Sequence, residues 1–345
     1  MKRTIFLSLW LVFILSFCSS CKRDIYKVSI SGINVNISIK RLEQDLFTIA
    51  PGHISDSIGY LKEKYNGFLK YFGYVINIGQ ISDSTWNESL VSFCTDKVNN
   101  DLYRSATAVF PSLTGLETGM TDAFRHYKYY FPLKKIPGVF SCITGFNNSI
   151  ITGDSVLGIG LDRYLGPENK YYRELGLYKY QIARMRPENI LPDCMYGWAS
   201  SEWDFKDIGY SQNNVLADII HEGKLLYFVR CMLPDIPDEL IFGFTPDQLK
   251  FCIKNEGGMW QYLVEHNLLF SSEMLTRKKL TGEAPFTSYF SSESPGRAAA
   301  WTGFRIVESY MSKNRGITLE KLMEEKDIQE ILEKARYRPS AGRNG

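Results

Sequence analysis

The segment from Asn214 to Leu233 constrains the chain more than any other. Wound as a helix, it is apolar over most of its circumference. Such a helix leaves no broad face for water and must be enclosed on several sides, so other elements have to wrap around it. The composition supplies the material: 44% of the 345 residues are hydrophobic and 14% aromatic, against 23% charged. That is too apolar for a disordered chain. No internal period is present, which excludes repeat arrays, coiled coil and collagen.

Charge excludes a further class. Lys and Arg number 40 and Asp and Glu 38, and the two excess cations are Lys2 and Arg3, ahead of the first apolar run. From Cys21 onward the balance is even. Nucleic-acid affinity rests on clustered cations that neutralise phosphates, so nucleic acid is not an expected partner.

Residues 1–20 read as a secretory signal: Met1-Lys2-Arg3, an apolar run from Thr4 to Phe17, then Cys18-Ser19-Ser20. The run is short for a membrane span. Two small residues directly before Cys21 resemble a bacterial lipobox, although Cys18 stands where leucine is usual. Cys21 is therefore expected to carry a palmitate-type lipid and to be the mature N-terminus. No later stretch approaches the length of an apolar span, so the rest is tethered by lipid at most. Lys22-Arg23-Asp24 offers no acidic export tag, which favours the periplasmic side. Cys94, Cys142, Cys194, Cys231 and Cys252 remain, an odd number without C-x-x-C, so at least one thiol is free.

Ile33, Val35, Ile37 and Ile39 alternate with polar residues, as in a half-buried strand. A 3.6 period predicts a helix over 57–72 and another around Leu113–Tyr127. Short β-branched runs at 139–143, 149–151 and 156–161, punctuated by Asn147-Asn148 and Gly153-Asp154, predict a small sheet. After Pro192 the pattern is helical. Thr245-Pro246-Asp247-Gln248 is a capping box that should open a helix running to His266. Ser294-Pro295 should open another through Met311, and Thr318 and Asp327 should cap two short helices. The expected fold is α+β and mostly helical: one zincin-like domain over 21–345, a small mixed sheet followed by a helical half.

The chemistry-bearing motif is His221-Glu222-Gly223-Lys224-Leu225. In H-E-x-x-H zinc hydrolases two histidines four apart ligate the metal and the glutamate activates its water. Leu225 stands where the second histidine would be and has no lone pair to donate. Glu256, expected on an apolar helix face with Leu249, Cys252, Ile253, Trp260 and Leu263, could act as a further ligand in a zincin-like scaffold. The competing assignment pairs Glu256 with an arginine such as Arg297 or Arg305, the commoner fate of a buried carboxylate. There is no G-x-S-x-G and no P-loop, and His53, His126 and His266 show no ligand spacing.

Several further stretches carry a family resemblance. They are Ile39-Lys40-Arg41-Leu42-Glu43-Gln44-Asp45-Leu46-Phe47, Gly160-Leu161-Asp162-Arg163-Tyr164-Leu165-Gly166, Ile220-His221-Glu222-Gly223-Lys224, Pro285-Phe286-Thr287, Glu293-Ser294-Pro295-Gly296-Arg297, Gly303-Phe304-Arg305-Ile306-Val307 and Ala335-Arg336-Tyr337-Arg338-Pro339. In collinear order over the mature chain, they resemble the gliding-motility lipoprotein B (GldB) family of the Bacteroidetes. The resemblance implies an envelope lipoprotein associated with a gliding apparatus, held to the membrane by its lipid and bound to other envelope proteins, with a fold distantly similar to H-E-x-x-H peptidases. It does not imply an enzyme, because the family itself carries His-Glu-Gly-Lys. The leading expectation is a non-catalytic scaffold without cofactor. Its polar cleft would gather Asp162, His221, Glu222, Lys224, Glu256, Arg297 and Arg305. The rival is a zinc hydrolase of peptide or cell-wall material, with His221 and Glu256 as ligands and Glu222 as general base.

Overall fold

The computed structural model describes residues 25–339 apart from Asn66, so the leader and Cys21 lie outside the described residues. A four-stranded sheet runs in the order β1 (Ile39–Arg41), β2 (Gly138–Cys142), β4 (Val156–Gly160), β3 (Ile150–Gly153). The first two pairings are parallel and β3–β4 is an antiparallel hairpin, with Ile39 opposite Val139, Val139 opposite Leu157 and Ile151 opposite Gly158. Helices account for most of the chain, as expected for this α+β class.

The sheet is covered on both faces because its side chains alternate. Phe140, Cys142, Ile151 and Val156 join a smaller core with Leu42, Leu61, Phe68, Phe72 and Trp86. Val139, Leu157 and Ile159 join the larger core built around the helix Val215–Met232. That helix is buried over most of its circumference, as its sequence requires.

The chain order departs from the expectation of a sheet followed by helices. The main helices Leu42–Thr48, Ile54–Lys64, Phe68–Val75, Trp86–Thr95, Lys97–Val109 and Thr114–Tyr130 all intervene between β1 and β2. A parallel pair needs a crossover, and this one is a helical layer. Nor is 33–39 a strand throughout. Val35, Ile37 and Ile39 are buried as the alternation predicts, but pairing begins only at Ile39. Backbone N–H groups of this extended stretch donate instead to side chains of the helix Thr114–Tyr130: Ile37 to Thr121 Oγ1 at 3.0 Å and Ile39 to Glu117 Oε1 at 2.9 Å.

Two expected helices are each broken in two. Gly67, at φ +79°, separates Ile54–Lys64 from Phe68–Val75. The capping box at Thr245 forms, but its helix stops at Lys254, and Asn255 leads into a second helix, Glu256–Glu265. The helix after Ser294-Pro295 starts at Ala298 and runs to Lys313.

Candidate functional site

Successive helical residues are 100° apart, so His221, Glu222 and Gly223 of the central helix Val215–Met232 point three ways, and Lys224 returns to the side of His221. Gly223 faces the helix Ala298–Lys313, where the two backbones touch. A Cβ on Gly223 would stand 2.3 Å from Gly303 C, and one on Gly303 would stand 1.6 Å from Ile219 O. His221 and Lys224, three apart, lie on one side and share Tyr210: its hydroxyl is 3.2 Å from His221 Nδ1 and accepts from Lys224 Nζ at 3.1 Å. Lys224 also donates to the Glu325 carbonyl at 2.9 Å. Burial pushes the Lys224 ammonium down to about 7, with Glu325 opposing. Burial, then the Lys224 charge, pushes His221 down to about 4.

Glu222 points elsewhere, into an extended polar network. Its Oε2 accepts from Arg297 Nη2 at 2.8 Å and from the Tyr196 hydroxyl at 2.8 Å. Tyr196 comes from the helix Ile190–Glu202, and its ring lies under the Arg297 guanidinium at 5.4 Å. Arg297 Nη1 donates to Glu283 Oε1 at 3.1 Å, and Arg184 Nη1 donates to that same oxygen at 3.1 Å. Arg184 Nη2 continues to Asp193 Oδ1 at 3.2 Å, and Asp193 Oδ2 accepts from the Tyr164 hydroxyl at 2.9 Å. Charges thus alternate from Glu222 through Arg297, Glu283 and Arg184 to Asp193. Burial alone would lower the Arg297 pKa, but Tyr196, Glu222 and Glu283 carry it above the ordinary arginine value. Burial raises Asp193 above the usual carboxylate range in spite of Arg184 and Tyr164.

The sequence holds Arg297 in place by several means. Its backbone is left-handed at φ +59°, a conformation that costs a non-glycine residue about 1 kcal/mol or more and persists only where neighbours impose it. The neighbours are the other motif residues. Thr287 Oγ1 accepts from the Ala298 N–H at 3.0 Å and donates to the Pro295 carbonyl at 2.8 Å. Ser294 Oγ accepts from the Thr287 N–H at 3.1 Å. Gly296 passes so close to Ala284 that a Cβ would stand 2.1 Å from its carbonyl oxygen.

Two concavities flank the Glu222–Arg297 pair. One, of about 490 Å³, is lined by Tyr196, His221, Glu222, Leu225 and Arg277 among others. The other, of about 450 Å³, is lined by Arg163, Tyr164, Arg184, Tyr196 and Arg297 with apolar neighbours.

The seven residues expected in one cleft are therefore dispersed. Asp162 is fully buried, accepting from the Thr144 N–H at 2.9 Å and the Phe146 N–H at 2.6 Å, and serves the loop after β2. Glu256 accepts from Arg305 Nε at 3.1 Å and from the Tyr337 hydroxyl at 2.8 Å, in a separate hollow that excludes His221. The rival's ligands His221 and Glu256 do not converge, because their helices present them to different cavities. Among the described residues no group of three or more His, Cys, Asp or Glu side chains is placed to hold a metal ion. Arg184, Asp193, Tyr196, Tyr210 and Glu283 were not legible as site residues. Only Tyr164 stood inside a motif, beside Asp162.

The family described as gliding motility protein GldB matches residues 23–339. The chain belongs to the GldB family. No curated protein and no solved structure matches it. Membership in the GldB family makes this a gliding-motility-related protein of a lipoprotein family and points to the cell envelope. Among the described residues no helix is long and apolar enough to cross a membrane.

Proposed function

We propose that this GldB-family chain is a lipoprotein anchored through Cys21, facing the periplasm, that acts as a non-catalytic, zincin-like scaffold in an envelope protein assembly. The observation that carries the reading is the fate of Glu222. A general base of the H-E-x-x-H type needs a metal-bound water beside its carboxylate. Glu222 Oε2 instead holds the Arg297 guanidinium and the Tyr196 hydroxyl, each at 2.8 Å. Leu225 supplies no second imidazole four residues after His221, and His221 is turned to Tyr210. The His-Glu pair on a buried central helix supports kinship with zinc peptidases; its wiring supports a structural use.

Mass spectrometry and native electrophoresis of detergent-solubilised membranes test this. The expected result is acylated Cys21 and migration in a complex well above the mass of one chain. A soluble, unmodified chain migrating as a monomer would overturn the proposal.

A further inference from the structure

Glu283 differs from the other acids along the charge string. Its side chain is 52% exposed, whereas Glu222 is 20% and Asp193 25% exposed. It projects from the irregular segment that follows the helix Met274–Thr281. One of its oxygens accepts from both Arg184 and Arg297. Two guanidiniums converging on one carboxylate oxygen make a geometrically defined receptor for that group.

Both arginines are built in. Arg297 is held by its left-handed backbone and by Glu222. Arg184 lies flat on the backbone of Gly243, at φ +66°, where a Cβ would stand 2.7 Å from its Cζ. Beside the fork opens the cavity of about 450 Å³, which adds Arg163 and the apolar side chains of Ile150, Met185, Leu226 and Phe242.

We propose that the Arg184–Arg297 fork is a recognition site for a carboxylate on a protein segment, and that Glu283 is its tethered internal occupant, displaced when the segment binds. The proposal rests on the assembly reading for the nature of the ligand. The recognised segment presents a carboxylate flanked by an apolar side chain, because the cavity beside the fork offers apolar wall and one further cation, Arg163, while its acid Asp193 is already held by Arg184 and Tyr164. Exchange of one carboxylate for another at the fork leaves Arg184 its Asp193 and Arg297 its Glu222, so neither arginine loses its other counter-ion. A tethered competitor sets the affinity: it acts at an effective concentration in the millimolar range and weakens any ligand accordingly.

Fluorescence polarisation on the full chain in detergent tests this with three labelled peptides. One ends Leu-Phe-Leu with a free C-terminal carboxylate. The second is its C-terminal amide, and the third is an amide carrying an internal Glu before Phe. Glu283→Gln, at a half-exposed position and leaving Arg184 its Asp193 and Arg297 its Glu222, is expected to bind a carboxylate peptide at least ten-fold more tightly than wild type. The first and third peptides distinguish a chain terminus from an acidic side chain as the source, and the second, which has no carboxylate, should not bind. Arg184→Lys, which keeps the charge but loses the fork, should abolish the gain. Binding unaffected by Glu283→Gln, binding of the second peptide equal to that of the others, or binding of none of the peptides overturns the proposal. Any of these results leaves the scaffold reading standing, since that reading fails separately, on acylation of Cys21 and native electrophoresis and on zinc content and hydrolysis.

Discussion

Arg297 concentrates the chemistry of this molecule at a single residue: a left-handed backbone, a side chain 14% exposed, and two carboxylates on one guanidinium. Removing it leaves Glu222 largely desolvated with Tyr196 as its remaining partner. Severing a buried pair in this way costs about 3 kcal/mol or more. Arg305 is 38% exposed, and its partner Glu256 keeps the Tyr337 hydroxyl, so Arg305→Ala is expected to cost about 1 kcal/mol at most, the scale of exposed pairs. Urea unfolding of the two alanine variants should rank them in that order, and equal losses would refute the difference in burial. Lys224 provides a second test. Its pKa when folded, about 7, lies below the ordinary 10.5. Between those values the unfolded chain binds more protons, so burial of the charge destabilises fully below pH 7 and is relieved as pH rises toward 10. Lys224→Met should lack this rise in stability between pH 7 and 10, while retaining the smaller one between pH 4 and 6.5 that follows from the depressed His221. Parallel stability profiles for variant and wild type would show that the ammonium is not buried as described.

At the scale of elements, the contact between the helices Val215–Met232 and Ala298–Lys313 positions everything else. It places Glu222 opposite Arg297 and depends on two glycines. Gly303→Ala would drive a methyl into the Ile219 carbonyl, and backbone cannot yield as a side chain does, so a loss of about 3 kcal/mol or more is expected. Gly258→Ala is the control: it lies in the helix Glu256–Glu265 with nothing within 4 Å of the new methyl and should stabilise by about 0.5–1 kcal/mol. Thermal unfolding of both variants checks the contrast, and a neutral Gly303→Ala would contradict the close approach. These elements also show what a sequence can and cannot disclose. The central helix, the cap at Thr245 and the short helices after Thr318 and Asp327 were legible because periodicity and capping are local. The break at Gly67 rests on a local glycine in the left-handed conformation, whereas the helical layer between β1 and β2 depends on long-range packing. The same division runs through the site. Glu222 and Arg297 stood in visible motifs, but Tyr196, Arg184 and Glu283 carry no local mark, and only the fold brings them together. Conversely, motif residues such as Asp162 and Glu256 read as companions of Glu222, yet each serves a different junction.

At the scale of the whole molecule, the central helix carries His221-Glu222 with Leu225 where an H-E-x-x-H motif has its second histidine. His221 meets Tyr210, Glu222 meets Arg297, Gly223 meets Gly303 and Lys224 meets the Glu325 carbonyl, so the four-residue motif works as a junction of packed elements. A catalytic zinc normally takes three protein ligands plus water, and among the described residues no group of three His, Cys, Asp or Glu side chains is placed to supply them. Leu225 is buried and lines the His221 concavity, so Leu225→His should place two imidazoles on one face there and raise zinc affinity measurably over wild type. No gain on calorimetric titration would mean that the likeness to a peptidase helix is accidental. The most direct test of the central claim is elemental analysis of the purified full-length wild-type chain equilibrated with zinc and then desalted, combined with a peptide-hydrolysis assay. The account predicts less than stoichiometric zinc and no hydrolysis. One tightly held zinc per chain, lost in His221→Ala and accompanied by hydrolysis that Glu222→Gln abolishes, would contradict it.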